Sequence, residues 1–425
     1  MPERPTHEST RGVVMLSSRQ LPSELRWFKG AEPADAVTLA YLATGGADRT
    51  DPDRLAAALT ALAARHPALR GPRPPQGVTV HATPGEGWDA VGRALAAAES
   101  RAGRPFDLGD GPLLRAELYR WTQGALLVVQ VHRSAVDGPS LPLLEAELER
   151  LYGAGPEAGP LPAPVPDGLP GTLPAAAPDP DGADALRAAW AVQLAGAVPQ
   201  ARPVAAAGAA ASGPAQLRLS LARPVLDGLL VRAGDATVTP ALALLAVYGL
   251  ALARFTGQRD LCVGLPVPAR HEPGRWAVIG PLADLVPVRV RTDGADAVAD
   301  FRSVLGSAAF ALRHQRLGYE EIRACGPAAP GPLLRTVFSD WPRCASRTLD
   351  LDGAVFAPAR LTARTSPFDL TAETVDPGHA DGRLYLDLTA DPDVLDGGAL
   401  RALGDVLGRT AHELAGLDTP AQEVP

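Results

Sequence analysis

Cysteine is scarce in this chain, and what little there is excludes much. Cys262, Cys325 and Cys344 are odd in number, and no two form a C-x-x-C pair. A disulfide framework and a zinc knuckle are thereby excluded, and a reducing compartment fits best. Long apolar runs are missing too. The longest, Ala241 to Ala253, is broken by Tyr248 and Gly249 and falls short of the roughly 18 residues a membrane helix needs. The N-terminus, MPERPTHESTRG, is polar and holds no apolar core for a signal peptide. There is no excess of positive charge: Lys and Arg number 40 against 48 Asp and Glu, for a net charge of −8. That balance argues against a nucleic-acid or membrane partner, and no local basic patch suggests a nucleotide. No repeat recurs at solenoid periods. The expectation is a cytoplasmic protein with no metal site.

What is present is an ordinary globular composition, 46% hydrophobic and 21% charged over 425 residues, long enough for two domains. Between Gly153 and Asp184 stand nine prolines, a linker composition that cannot pack into a core. On each side strands and helices mix. Asp51-Pro52 opens a helix whose buried stripe is Leu55, Leu59 and Leu62, ending at His66-Pro67. Leu21, Leu25 and Phe28 fall at helical spacing. Thr239-Pro240 caps a long apolar helix to Phe255, Val298 to Leu312 is another helix, and Ala399 to Leu414 closes the chain. The expected organisation is an α/β (α+β) chain: an N-terminal lobe over 11–155, a Pro-rich linker over 156–184, and a C-terminal lobe over 185–417.

The rest is organised around Leu126 to Ser140, LLVVQVHRSAVDGPS. Strands at Leu113 to Trp121 and Ala125 to Val131 read as a hairpin turning on Gln123-Gly124. If the second strand stays extended, His132 continues the Val128/Gln130 face and Arg133 the Val129/Val131 face. Asp137-Gly138 then makes a turn. Ser140 reads as the N-cap of a helix carrying Leu141, Leu144, Leu148 and Leu151 rather than as a nucleophile, since no G-x-S-x-G surrounds it. Ionisable groups released from a buried strand into a glycine turn look like the floor of an active site. His66 reads as a packing or capping residue. His271 and His314 carry no metal spacing. Trp276 and Trp341 either line a cleft or fill an interface.

Seven blocks in order, LSSRQLPSELRW, RHPALR, FDLGDGPLLRAEL, VHRSAVDGPS, GQRDLCVGLPVPAR, IGPLADLVPVRV and SPFDLTAE, carry a resemblance. Together they resemble the condensation domains of nonribosomal peptide synthetases, within the chloramphenicol-acetyltransferase-like superfamily, over Arg11 to about Leu417. The resemblance implies two such lobes in a V shape around a central tunnel. It also implies that substrates held on the phosphopantetheine arms of acyl or peptidyl carrier proteins enter the tunnel from opposite faces. It implies a monomer with no cofactor of its own. The family signature HHxxxDG aligns on His132, Arg133, Asp137 and Gly138. In the family the second His deprotonates or positions the attacking amine, the Asp pairs with an arginine of the other lobe, here Arg270, and the Gly lets backbone approach the reacting carbonyl.

Two departures set the question. Arg133 stands where the second His is usual, and Asp284 where an Asn is usual. A guanidinium, with a pKa above about 12, cannot accept a proton, so ordinary base catalysis by Arg133 is excluded. Arg133 could instead stabilise a developing oxyanion, or fill the tunnel while pairing with Asp137 or another carboxylate. Two functions stand side by side. One is a stand-alone condensation-type protein of natural-product biosynthesis, forming an amide or ester from carrier-bound thioesters. The other is a non-catalytic platform resembling the X domain, an HR-type variant that recruits haem monooxygenases to a carrier-bound peptide. That variant often has a second Asp where this chain keeps Gly138. A third reading, acyl transfer from coenzyme A thioesters, ranks last for want of a basic phosphate pocket.

Overall fold

The computed structural model describes residues 35–45, 50–154, 180–203, 215–272, 274–328, 330–340, 347–361, 366–375 and 382–418. The block LSSRQLPSELRW, the helix expected around Leu21 to Phe28, most of the 156–184 linker, Trp341 and Cys344 lie outside them.

In chain order the first elements are β1 (Ala36–Ala43), α1 (Pro52–Arg65), β2 (Val78–Ala82), α2 (Gly87–Ala102), β3 (Leu114–Trp121), β4 (Gly124–His132) and α3 (Leu141–Ala154). Next come α4 (Pro180–Gln193), β5 (Ala215–Leu221), α5 (Arg223–Ala233), α6 (Pro240–Thr256), β6 (Asp260–Val267), β7 (Asp284–Arg291), α7 (Ala297–Arg313) and α8 (Tyr319–Cys325). The chain ends with β8 (Leu334–Ser339), β9 (Leu349–Leu351), β10 (Ala354–Ala359), β11 (Leu370–Val375), β12 (Leu384–Ala390) and α9 (Gly397–Ala415). The strands form two six-stranded sheets, β2-β3-β4-β1-β10-β9 and β5-β12-β11-β8-β6-β7.

The first sheet is built on β4, every residue of which is buried. The two faces are covered by different helices, so the strand is apolar throughout rather than alternating. Leu127, Val129 and Val131 pack with Leu55, Leu59 and Leu62 of α1 and Leu144 and Leu148 of α3. Leu126 and Val128 pack with Ala94 and Ala98 of α2. The β3–β4 hairpin pairs Trp121 with Gly124, so its turn is Thr122-Gln123, one residue earlier than the sequence suggests. A side chain at Gly124 would meet the Ala43 carbonyl oxygen at 2.5 Å, which makes glycine a strand residue here rather than a turn residue.

In the second sheet β8 runs parallel to both β6 and β11. Its core holds α5, α6, α7 and α9, with α6 buried from Ala243 to Ala253. That burial in protein accounts for the apolar run in the sequence. Among the described residues no helix is long and apolar enough to cross a membrane.

Two particulars differ from the expected segmentation. Residues 180–184, placed in the linker, already belong to α4. Strands β9 and β10, from within 185–417, are hydrogen-bonded into the first sheet, where β10 pairs with β1. Phe356 of β10 is fully buried in the first lobe's core. At the strand's far end, Arg360 donates to Asp387 of β12 at 2.5 Å. Closing the exposed edge of β1 satisfies its backbone groups, which explains why this short segment crosses over. Phe356→Ala should cost about 3–5 kcal/mol, read as a lower urea midpoint. An unchanged midpoint would mean that the crossover segment is dispensable to the first lobe.

Candidate functional site

The motif residues sit where β4 ends. His132 is the last strand residue, paired with Ala36 and fully buried. It keeps the α2 face, as the alternation predicts: Gln130 donates to the Ala102 carbonyl at 2.9 Å, and the His132 ring meets the edge of Phe106 at 5.5 Å. The Arg115 guanidinium lies 4.2 Å from the centre of that Phe106 ring. His132 Nδ1 accepts from the Ser134 N–H at 3.3 Å and lies 2.7 Å from the Ser134 hydroxyl.

That contact starts a short 3-10 turn, Arg133–Ala135, so the strand does not extend to Arg133. The expectation that Arg133 shares the Val129/Val131 face is therefore corrected. Among the described residues the β1 pairing ends at Ala36 with His132, and the Arg133 N–H donates to the Asp35 carbonyl at 2.8 Å. The half-buried Arg133 side chain leaves the sheet on this turn.

Asp137 is the hub. Its carboxylate accepts five hydrogen bonds among the described residues. Arg270 donates from two nitrogens, at 2.7 and 2.8 Å, one to each oxygen. The Ser140 hydroxyl donates at 2.6 Å, the Ser140 N–H at 3.1 Å and the Ala283 N–H at 2.8 Å. The pair is closed to solvent, with side-chain exposures of 5% for Asp137 and 0% for Arg270. Arg270 also donates to the Pro268 and Val278 carbonyls. Gly138 opens the 3-10 turn Gly138–Ser140, which Asp137 caps.

Ser140 is thus not the helix cap that the sequence suggests. Its buried hydroxyl reaches the second lobe, accepting from the Gly280 N–H at 3.0 Å and lying 3.0 Å from the Gly280 carbonyl. Ile279, next to it, is buried in the first lobe's core. The loop before β7 therefore plugs into the first lobe and is held there by Ser140 and Asp137. Sequence reasoning read Ser140 only as a helix cap and missed Ala283, although a serine three residues after the motif Asp was a usable signal. Nothing in the sequence pointed to Gly280, far along the chain.

Asp284, the other departure, accepts from its neighbour Leu285 at 2.8 Å and from the first N–H of α8, that of Tyr319, at 3.3 Å. Its charge sits favourably at that helix start. Of the remaining candidates, His66 pairs with Glu147 between α1 and α3. His314 stacks on Phe310 and closes α7. Burial, and then the Arg316 charge, hold the His271 imidazole below its usual range. Trp276 is 58% exposed.

The chain matches the Condensation domain family over residues 86–390, which include both β4 and the loop holding Arg270. It belongs to the condensation-domain family. Over 251 residues it is 30% identical to phosphinothricin tripeptide synthetase PhsC of Streptomyces viridochromogenes, a match covering 55% of this chain and 23% of that protein. Tyrocidine synthase 2 of Brevibacillus parabrevis is 30% identical over 246 residues, 55% of this chain and 7% of the synthase. The chain thus spans less than a quarter of the length of these two relatives. Among solved structures, the X-domain from teicoplanin biosynthesis superposes with a TM-score of 0.72 at 21% identity, covering 95% of each chain. The SgcC5 protein from Streptomyces globisporus superposes with a TM-score of 0.69 at 20% identity, covering 92% of this chain and 94% of that one. These likenesses show the fold: the mixed α/β architecture of condensation domains.

Removing one partner of a buried pair strands the other charge, so Arg270→Ala should cost about 3–5 kcal/mol. Ser140→Ala leaves the Gly280 N–H without this acceptor and should cost about 1–3 kcal/mol. Urea unfolding reads both. A wild-type midpoint for Ser140→Ala would remove the hydroxyl from the joint.

Proposed function

We propose that this condensation-domain protein carries out acyl transfer in natural-product biosynthesis, joining an acyl or peptidyl group held on a carrier protein to an amine or alcohol. The acyl group arrives as a thioester on a phosphopantetheine arm, through a passage between the lobes, and leaves as an amide or ester. The observation that carries this reading is the joint built on Asp137. Five hydrogen bonds, two of them from Arg270 of the other lobe, fix the turn that presents Arg133 and Gly138.

In this reading Arg133 is a fixed cation that stabilises the charge developing on the thioester carbonyl oxygen. Giving up a histidine base forfeits a factor of about 10²–10⁴, or roughly 3–5.5 kcal/mol. Holding two tethered reactants in line is worth about 7–11 kcal/mol. Positioning outweighs the lost base, so a site without that histidine still accelerates the reaction. Gly138, lacking a side chain, leaves the carbonyl room to approach backbone.

A second reading rests on the same Arg133. The chain would then be a platform that holds a carrier protein or a haem monooxygenase without condensing anything, as the resemblance of the HR-type motif to X domains suggests. Turnover with an acyl-loaded carrier protein and an amine or alcohol acceptor separates the two. Condensation predicts product, with Arg133→Ala lowering kcat about 10²-fold or more while carrier binding is kept. No product from any donor and acceptor pair, with a carrier or oxygenase complex that survives Arg133→Ala, would establish the platform instead.

A further inference from the structure

Among the described residues most buried carboxylates are matched to cations or capped helices, and a part-buried one that is not follows β8. Glu117 pairs with Arg101 at 3.0 Å, Asp369 with Arg335 at 3.0 Å, Asp387 with Arg218 at 2.6 Å, and Asp137 with Arg270. Asp340, the residue following β8, is part-buried, and among the described residues no cation pairs with it. Its hydrogen-bond donor is the buried hydroxyl of Thr374 on β11. Burial pushes this carboxyl above the usual aspartate range, and the Thr374 hydroxyl only partly offsets the shift. An unpaired carboxylate in such a place is costly to stability.

Register locates it. β8 and β11 pair Ser339 with Glu373, which sets Asp340 beside Thr374. β6 and β8 pair Gly264 with Val337 after an irregularity in their register, and from there both strands run on in parallel, β6 to Val267 and β8 to Ser339 just before Asp340. Val267 in turn pairs with Asp284 across β6 and β7. Thr374, Asp340, Val267 and Asp284 thus lie at the same end of the second sheet. This is the end from which the chain continues to Arg270, and the end at which Ala283, next to Asp284, donates to Asp137. Two strand spacings, about 10 Å, separate β8 from β7, which begins at Asp284.

We infer that Asp340 is the proton acceptor of this site, the group that takes the nucleophile's proton where Arg133 cannot. The inference rests on the condensation reading above. As the nitrogen or oxygen of the acceptor bonds to the thioester carbon, its proton passes to an Asp340 carboxylate oxygen. The carbon–sulfur bond then breaks, and the departing thiolate takes the proton, returning Asp340 to its starting state. Arg133 holds the carbonyl oxygen and exchanges no proton.

The test is a pH–rate profile with acyl-pantetheine thioesters as donors and primary amines and alcohols as acceptors, allowing for each amine's own titration. Wild-type kcat should fall on the acid side as Asp340 protonates, at a pH above the ordinary aspartate range. Asp340→Asn should lower kcat about 10²-fold or more and abolish that acid limb. Its melting temperature at neutral pH should hold or rise, because an amide is cheaper to bury than an unpaired carboxylate. Asp340→Glu should restore part of the rate and the acid limb. Wild-type kcat with the acid limb intact in Asp340→Asn would overturn the inference and leave the condensation reading standing. So would a loss of activity matched by a loss of stability in both variants, which is the mark of a structural carboxylate. Absence of turnover by the wild-type chain would remove the condensation reading, and the inference with it.

Discussion

Burying Asp137 against Arg270 is the constraint on which the arrangement of the two lobes depends. Neither charge is tolerable alone at that depth, and the pair holds because both carboxylate oxygens and both terminal nitrogens of the guanidinium are hydrogen-bonded. The carboxylate takes the two Arg270 donors, both Ser140 donors and the Ala283 N–H. To supply those donors, the loop ahead of β7 must lie against the turn after β4, and Ile279 is carried into the first lobe's core as a consequence. One ion pair therefore sets the turn that bears Arg133, the seat of the loop, and the end of the second sheet where Asp340 lies.

The joint is reinforced from the opposite direction by β9 and β10. They leave the second half of the chain, close the edge of β1, and return toward β12 through the Arg360–Asp387 contact. A polar joint at the end of β4 and an apolar strand pairing at β1 are different kinds of tie. The first is directional and intolerant of a missing partner, whereas the second spreads its stabilisation over Phe356, Leu349 and Leu351. Holding the two sheets in one arrangement draws on both ties.

Arg133 and Asp340 together suggest how a motif without its histidine could keep its chemistry. The cation sits on a turn after the first sheet, and the carboxyl at the end of the second sheet whose neighbouring loop donates to Asp137. Separating charge stabilisation from proton transfer onto two lobes would make the reaction depend on how the lobes are held. Asp284 follows a similar logic at smaller scale, its carboxylate gathering the start of β7 and the start of α8.

Much of this was legible in the residues. The caps at Asp51 and Thr239, the apolar stripe of α3, the buried run of β4 and the HRxxxDG turn are local patterns. Local patterns are written in periodicity and in residue type. The family followed from the order of its blocks, and the exclusion of Arg133 as a base followed from guanidinium chemistry alone. What the residues could not show was partnership across the chain. That Ser140 holds Gly280 rather than capping a helix, that β10 belongs to the first sheet, and that Asp340 meets Thr374 are all long-range facts. Each depends on which surfaces meet when two cores form. A serine, a short apolar strand or an aspartate carries no mark of the partner that tertiary packing will bring to it.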